Sequence, residues 1–188
     1  MERRNFLKLG LMGTAALTTV GLTGSLVGCS DTGTSVSNGQ TWKVLRAQDR
    51  TFFRSVAPVM LKGSLPDNKA AQTRAIETMI ENIDLAIFNL GPHSKKQMID
   101  LFMLLDMSVT RGLTTGVWSS WDKASAEDID QFLHRWRDSS IGLFRLAYNG
   151  LNKLMVATWY GQPASWQTVQ YPGPPYADVL VTGSVQEK

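Results

Sequence analysis

The chain has 188 residues and a single cysteine, Cys29, so an internal disulfide, a Cys-x-x-Cys-His haem attachment and an iron–sulfur site are excluded. Residues 1–28 hold three of the 19 basic residues and one of the 16 acidic residues, which leaves 16 basic and 15 acidic residues and a formal charge of +1 in the remainder. This balance does not favour a polyanion, and nucleic acid is not an expected partner.

The N-terminus resembles a bacterial export signal. The residues similar to the twin-arginine consensus are Arg3, Arg4, Phe6, Leu7 and Lys8. The uncharged stretch that follows is rich in Gly, Ala, Thr and Leu, as in the apolar part of a signal peptide rather than a spanning helix. The resemblance implies export to the periplasm by the twin-arginine translocase. An uncleaved N-terminal membrane helix is the alternative.

A second targeting pattern follows the apolar stretch. Residues 26–29 read Leu-Val-Gly-Cys, which resembles the lipobox of bacterial lipoproteins. In that family the cysteine becomes the first mature residue, and several acyl chains anchor a protein stably where a single chain does not. The resemblance implies a signal peptide over 1–28, lipidation of Cys29 and a lipidated flexible tether over 29–41. The protein would then be periplasmic and anchored to a membrane through lipid.

Residues 42–160 have the apolar periodicity of helices, which predicts an all-α fold with a single helical bundle of about five helices. The expected helices cover about 43–62, 68–90, 94–111, a segment that starts at 125, and 140–160. The clearest seam has spacings of four, three, four and three residues, at Ile76, Ile80, Ile83, Ile87 and Leu90.

Glycine and proline are expected to end or bend these helices. Pro58 should kink the first helix or end its first segment, Gly91 should cap the second, and Gly112 should cap the third. Gly150 should allow a bend or a close helix approach in the fifth. The third helix is apolar around most of its circumference, so we expect it to be central or to meet another protein on one side.

The last two predicted helices have clear inner faces. Ser125 and Asp128 predict a capping box at the start of the fourth helix. Its inner face is expected to hold Ile129, Phe132, Leu133 and Trp136. The fifth helix repeats the bundle spacing at Phe144, Tyr148, Leu151, Met155 and Thr158, with Trp159 alongside.

Residues 161–188 form a segment of a different kind. Four prolines between 163 and 175 predict an extended, aromatic and Pro-rich tail in place of a regular helix. Trp166, Tyr171 and Tyr176 would give this tail large contact surfaces, and prolines reduce the entropy lost when it docks. Two interpretations stay open: the tail caps its own bundle, or it is a contact strip for a partner.

Chemistry-bearing residues are sparse. No glycine-rich strand–turn–helix fingerprint of flavin or nicotinamide binding is present, and His93 and His134, the two histidines, fall in different predicted elements. No catalytic, cofactor or metal site is therefore predicted. A buried carboxylate is costly unless paired. Asp84, Asp100 and Asp106 are expected at the surface or beside Arg74, Arg111 or Arg145. A ligand or proton-handling site at these carboxylates is the alternative.

Three short segments, 52–58, 159–161 and 171–175, complete a family resemblance that also includes the leader and the helical body. Together they are similar to the small subunits that accompany GMC-type flavin dehydrogenases, the gluconate 2-dehydrogenase subunit 3 group. This resemblance implies a subunit without a cofactor that carries the export signal for a large flavoprotein and stays bound to it, with FAD in the partner. The lipobox is not a general feature of that group, so anchoring is expected to differ.

The predicted function is therefore a non-catalytic accessory subunit that exports, docks and stabilises a periplasmic flavin-dependent dehydrogenase. The alternative is a stand-alone lipoprotein that binds a small apolar ligand within its bundle, and an enzyme that uses the carboxylates is a third option. The residues predicted to contact the partner are Trp118, Trp121, Trp159, Tyr160, Trp166, Tyr171, Pro172, Gly173, Pro174 and Pro175.

Exchange of Arg3 and Arg4 together for lysine tests the export signal. Lysine keeps the charge but lacks the planar guanidinium, so the precursor should accumulate in the cytoplasm. Immunoblots of cytoplasmic and periplasmic fractions measure this. Normal amounts of the double variant in the periplasm would contradict the twin-arginine assignment.

Overall fold

Helices make up most of the described part of the chain. The computed structural model describes residues 36–37, 40–166 and 168–173. Its helices are α1 (Ala47–Met60), α2 (Lys69–Phe88), α3 (Pro92–Asp106), α4 (Ser108–Thr115), α5 (Ala126–Arg137), α6 (Gly142–Tyr160) and α7 (Pro163–Trp166). A 3-10 turn, Trp121–Lys123, lies between α4 and α5. The predicted all-α class is confirmed, with seven described helices where the sequence predicts about five.

A small antiparallel strand pair precedes the helices. β1 (Val36–Ser37) pairs with β2 (Gln40–Thr41), and Val36 lies opposite Thr41. These residues fall in the segment for which the sequence predicts a flexible tether. Strands of two residues are far below the usual length, so this pair adds little stability by itself.

α1 is the central helix and packs against α2, α3, α5 and the 3-10 turn. Phe52 and Phe53 are adjacent in the chain and both are buried. Phe53 meets Phe102 of α3 edge to face with ring centroids 5.5 Å apart, whereas Phe52 meets Trp121 at 4.9 Å. The helix continues for two residues beyond Pro58, so this proline lies in its last turn.

α2 supplies most of the predicted seam. Leu90 lies outside the helix and is exposed, because α2 ends at Phe88 and Asn89 caps it. The prediction that Leu90 belongs to the buried seam is therefore wrong. The buried members are Ile76, Ile80, Ile83 and Ile87.

The turn between α2 and α3 corrects the predicted role of Gly91. Its backbone is not left-handed (φ −58°, ψ 153°), and it is the residue before α3 rather than the cap of α2. Pro92 takes the first position of α3. Proline fits there because the first N–H groups of a helix have no helical partner.

The third predicted helix is divided in two. α3 ends at Asp106 because Met107 takes extended backbone (φ −66°, ψ 122°), and α4 starts directly after it. Side chains of α4 donate to the carbonyls freed at the break. The Thr110 hydroxyl donates to Leu104 O at 2.6 Å. The Arg111 guanidinium donates to Asp106 O at 3.0 Å.

The left-handed cap after this pair of helices is Gly116 and not Gly112. Gly116 has φ 85° and follows α4, a conformation that favours glycine. Gly112 lies inside α4 and is buried. The predicted cap at Gly112 is therefore wrong.

The start of α5 agrees with its sequence signal. The Ser125 hydroxyl accepts a hydrogen bond from the Asp128 N–H at 3.1 Å, and the Asp128 carboxylate accepts one from the Ser125 N–H at 3.2 Å. The predicted capping box is confirmed. The predicted inner face is confirmed too, since Ile129, Phe132, Leu133 and Trp136 are buried.

α6 packs on α5 and α2. Leu151, Met155 and Trp159 are buried on its inner face, with Phe144 and Tyr148 partly buried. The helix runs without a break from Gly142 to Tyr160, so Gly150 does not interrupt it. A Cβ at Gly150 would meet no atom within 4 Å, and the predicted close helix approach is therefore wrong.

Asp84 of α2 fixes the segment before α1 and is buried. Its carboxylate accepts hydrogen bonds from the backbone N–H groups of Lys43, Val44 and Leu45 at 2.7–2.9 Å. These charge-assisted bonds hold residues 43–45 outside any helix, so α1 starts at Ala47 instead of 43. The surface or arginine-paired position predicted for Asp84 is wrong.

Substitution of Asp84 should destabilise the domain in a graded way. Alanine leaves three N–H groups without their acceptor. It should lower the free energy of unfolding by about 3 kcal/mol or more, because each unsatisfied buried donor costs about 1–3 kcal/mol. Asparagine keeps the shape but turns one oxygen into a donor, and should cost about 1–2 kcal/mol. Urea unfolding followed by circular dichroism measures both values.

Asp100→Asn is the matched control for Asp84→Asn. Asp100 pairs with Lys96 on the exposed side of α3, and such pairs contribute under about 1 kcal/mol. Equal losses of stability at positions 84 and 100 would contradict the anchoring role of Asp84.

Candidate functional site

An open groove of about 430 Å³ lies between α3 and α6. α3 contributes one wall and the first half of α6 the other, with Trp136 of α5 between them. The lining residues are mostly apolar: Met98, Leu101 and Leu104 from α3, Leu143, Phe144, Leu146, Ala147 and Gly150 from α6, Trp136, and the polar Gln97 and Asp100. We call this the α3–α6 groove.

The floor of the groove is a stacked aromatic pair. Trp136 and Phe144 stack with ring centroids 5.6 Å apart and an angle of 12° between their planes. The indole N–H of Trp136 donates to Thr114 O at 2.9 Å, so its polar atom is satisfied by α4. The Trp136 ring is itself buried, so it supports Phe144, and Phe144 is the ring of the pair that keeps exposed surface.

The α6 wall of the groove carries two leucines that the bundle does not cover. Leu143 is 66% exposed and Leu146 is 69% exposed. They lie three residues apart, hence on one side of the helix. Single exposed apolar residues are ordinary, but clustered ones beside an apolar groove are typical of interaction sites.

The polar residues of the groove lie along α3. Asp100 forms a salt bridge with Lys96 at 2.7 Å, and Gln97 forms a hydrogen bond with His93 at 3.1 Å. Both pairs join residues four apart on exposed positions of the same helix. An apolar floor with a polar edge suits a binding site in which shape and apolar contact give the affinity.

Trp118 and Trp121, predicted as partner contacts, occupy opposite environments. Trp121 is buried against Phe52 and donates its indole N–H to Leu105 O at 2.9 Å, so its burial leaves it unavailable to a partner. Trp118 is exposed and its ring covers Gly112. Of the two, Trp118 alone is placed to meet a second molecule.

The tail returns to its own domain over its described length. Pro163 starts α7, a short helix that the prediction of an extended tail misses. Gln162 Nε2 donates to Ala75 O at 3.2 Å, and Thr168 Oγ1 donates to Ser64 O at 3.3 Å. These contacts agree with the interpretation of the tail as a cap on its own bundle.

The aromatic residues of the tail support one another. Trp166 donates its indole N–H to Tyr160 O at 3.0 Å and meets Tyr171 edge to face at 5.6 Å. Gly173 has φ 102° and lies against the Trp166 ring, where a Cβ would come within 3.1 Å of it. Pro172, Tyr160 and Tyr171 keep exposed surface.

The other predicted contact residues are not all accessible. Trp159 is fully buried, and its indole N–H has no hydrogen-bond partner among the described residues. Pro174 and Pro175 lie outside the described residues, as do Tyr176 and the targeting residues Arg3, Arg4, Phe6, Leu7, Lys8 and Cys29.

The predicted carboxylates do not meet at one site. Asp100 lies at the surface, one of its predicted positions, and pairs with Lys96. Asp106 lies 3.5 Å from Arg46, so the arginines that the sequence suggested as its partner are wrong. Arg46 also binds Asp49, and this hydrogen bond raises the pKa of its guanidinium. His93 and His134 are exposed, and within the described ranges no three His, Cys, Asp or Glu side chains could hold a metal ion.

The carboxyl groups with shifted pKa values do not line the groove. A hydrogen bond from the Ser120 side chain lowers the pKa of Asp122. A hydrogen bond from Arg137 lowers the pKa of Asp138. Both groups are exposed, and the lowered pKa keeps them ionised at neutral pH. Neither of them forms an acid–base pair with a residue that lines the groove.

Comparisons with known protein families, curated proteins and solved structures found no match for this chain. The family resemblance drawn from the sequence thus stays a prediction.

None of the helices in the described part of the chain is both long and apolar enough to cross a bilayer.

The α3 wall of the groove agrees with the apolar excess expected of the third predicted helix, whereas the α6 wall is the feature that sequence reasoning missed. The predicted inner face of the fifth helix runs through Phe144 and Leu151, and Leu143 and Leu146 lie off that face. The available sequence signal was that both are apolar residues outside the predicted seam. The sequence could not tell whether a neighbouring helix would cover them.

Gly112→Ala should have opposite effects with and without the Trp118 ring. With Trp118 in place, the new Cβ would come within 2.4 Å of the ring and should cost about 1–2 kcal/mol. In a Trp118→Ala background the same change should stabilise α4 by about 0.5–1 kcal/mol, because alanine favours helix. Urea unfolding of the four proteins in this double-mutant cycle measures the coupling. If the effects of Gly112→Ala and Trp118→Ala simply add, the contact between Gly112 and the Trp118 ring is contradicted.

Proposed function

We propose that the chain is a non-catalytic accessory subunit that docks and stabilises a periplasmic flavin-dependent dehydrogenase. The α3–α6 groove is the observation that carries the proposal. It offers a partner helix or loop an aromatic floor, two uncovered leucines and a polar edge. An amphipathic segment that lies in such a groove is a recurring mode of protein recognition.

The identity of the partner rests on the resemblance to small dehydrogenase subunits and on the twin-arginine leader. Segment 52–58 of that resemblance lies in α1, where Phe52, Phe53, Val56 and Ala57 are buried. Trp159 of the second segment is buried as well. These residues would specify the bundle, and the contact with the flavoprotein would fall to the exposed groove, with Trp118 and the exposed part of the tail as further candidates.

A flavoprotein partner would bind FAD itself and would reach the periplasm on the leader of this chain. The accessory subunit would then contribute a folded surface, an export signal and a lipid anchor at Cys29. Its groove would stay covered once the complex forms. Such a role accounts for the exposed leucines, which raise the risk of aggregation in a protein that works alone.

A second candidate is a lipoprotein that holds a small apolar ligand. The volume of the groove favours it, because about 430 Å³ falls within the usual range of small-molecule sites, roughly 300–1,000 Å³. Its open leucine rim favours a macromolecule instead, because small-ligand sites bury most of the ligand surface.

The proposal is tested by introducing charge into the groove. Leu143→Asp and Leu146→Asp together should weaken binding of the flavoprotein by about a thousandfold or more, because interface anchors cost about 2 kcal/mol each and a buried unpaired charge costs more. The protein is purified with its partner from the native host, and the flavin absorbance of the eluate measures binding.

Val109→Asp with Leu113→Asp is the matched control. These residues of α4 are 60% and 69% exposed, close to the values of the groove leucines, but they do not line the groove. Release of flavoprotein by both pairs would contradict the placement of the interface. A colourless native preparation that yields an apolar molecule by mass spectrometry would support the ligand-binding candidate.

A further inference from the structure

The C-terminal end of α2 presents an aromatic ring between two ammonium groups. Phe88 is 44% exposed. The Nζ of Lys43 lies 4.6 Å from the centre of its ring, and the Nζ of Lys95 lies 4.8 Å from it. The two lysines come from different segments, one before α1 and one from the first turn of α3. The fold itself therefore concentrates two positive charges around one apolar side chain.

Two aliphatic side chains extend this surface. Leu85 lies three residues before Phe88 on α2, and Leu90 lies in the turn that follows; both are exposed. We call Lys43, Leu85, Phe88, Leu90 and Lys95 the Phe88 patch. It combines apolar side chains with flexible cations whose stems can lie along apolar surface while the heads reach outward.

The positive charge of the patch is not neutralised by its neighbours in the described structure. Lys43 and Lys95 are in no salt bridge among the described residues. The Asp84 carboxylate binds the backbone N–H groups of Lys43, Val44 and Leu45 rather than an ammonium group. Both ammonium groups are thus available to an external anion.

The position of the patch relates it to the proposed anchor. Lys43 follows the predicted tether directly, and 12 residues, 30–41, separate Cys29 from Trp42. Because Val36 lies opposite Thr41 in the β1–β2 pair, residues 36–41 add little reach. A flexible chain of the six residues 30–35 would have an end-to-end distance of about 13 Å. Acylation of Cys29 would keep the start of the domain, and the patch with it, close to the bilayer surface.

We infer that the Phe88 patch lies against an anionic phospholipid surface when the protein is anchored. The lysines pair with lipid phosphates, and Phe88, Leu85 and Leu90 enter the headgroup region. Two lysines at an anionic leaflet raise the contact population roughly thirtyfold, since each contributes a factor of about five. The inference rests on the membrane attachment within the proposed function and not on the flavoprotein.

The experiment uses an environment-sensitive fluorophore on a cysteine introduced by Leu90→Cys. Cys29 is the native cysteine of the chain, and the parent protein without Leu90→Cys gives the background. The full chain is reconstituted into vesicles of phosphatidylcholine alone or mixed with phosphatidylglycerol. Emission should shift to the blue, and lipid-borne quenchers should act on the probe, in the anionic vesicles. High salt should weaken both effects.

Charge reversal locates the effect. Lys43→Glu with Lys95→Glu should abolish the emission shift, whereas Lys62→Glu with Lys153→Glu changes the net charge equally at exposed positions elsewhere and should leave it. A probe at Val169→Cys should stay in water. Val169 follows Thr168, which donates a hydrogen bond to Ser64 O before the start of α2. Phe88 lies at the other end of that helix, which is about 30 Å long.

Three results would overturn the inference: equal emission of the Leu90→Cys probe in both kinds of vesicle, no effect of the Lys43 and Lys95 reversal, or an equal effect of the control reversal. The outcome is separate from that of the pull-down. If the probe responds but no flavoprotein co-purifies, the membrane contact of the Phe88 patch is supported and the proposed flavoprotein partner is contradicted.

Discussion

Burial of two adjacent phenylalanines sets the arrangement of the bundle. Neighbouring residues on a helix point about 100° apart, so Phe52 and Phe53 require partners on two sides of α1. Phe53 meets Phe102 of α3, and Phe52 meets Trp121 and, through Phe132, the ring system of α5. Loss of either ring would leave a cavity that costs about 3–5 kcal/mol. The other helices are arranged around this requirement.

Periodicity predicted the elements whose stability comes from a regular apolar face. The isoleucine seam of α2 and the inner face of α5 are both in place, because four-three spacing puts apolar side chains on one face for as long as the helix continues. The break at Met107 was not predictable in this way. It depends on Thr110 and Arg111, which donate to carbonyls that only a broken helix exposes. Side-chain bonds of this kind leave no periodic signal.

The burial of Asp84 is a second feature that the sequence pattern could not predict. The sequence predicts Asp84 at the surface or beside an arginine, because an unpaired buried charge is expensive. Three backbone N–H groups offset that cost, and they come from a segment about 40 residues earlier in the chain. Only the fold brings them together. The groove follows from the same kind of information, since exposure of Leu143 and Leu146 depends on how much of α6 the other helices cover.

α3 joins the two surfaces for which we propose partners. Lys95 in its first turn belongs to the Phe88 patch, and Met98, Leu101 and Leu104 in its later turns line the groove. At 1.5 Å per residue, Lys95 and Leu104 are only about 14 Å apart along the helix. A bilayer at the patch would therefore hold a protein in the groove close to the headgroups. Because one rigid helix carries both surfaces, the anchor would fix the orientation of the partner as well as its location.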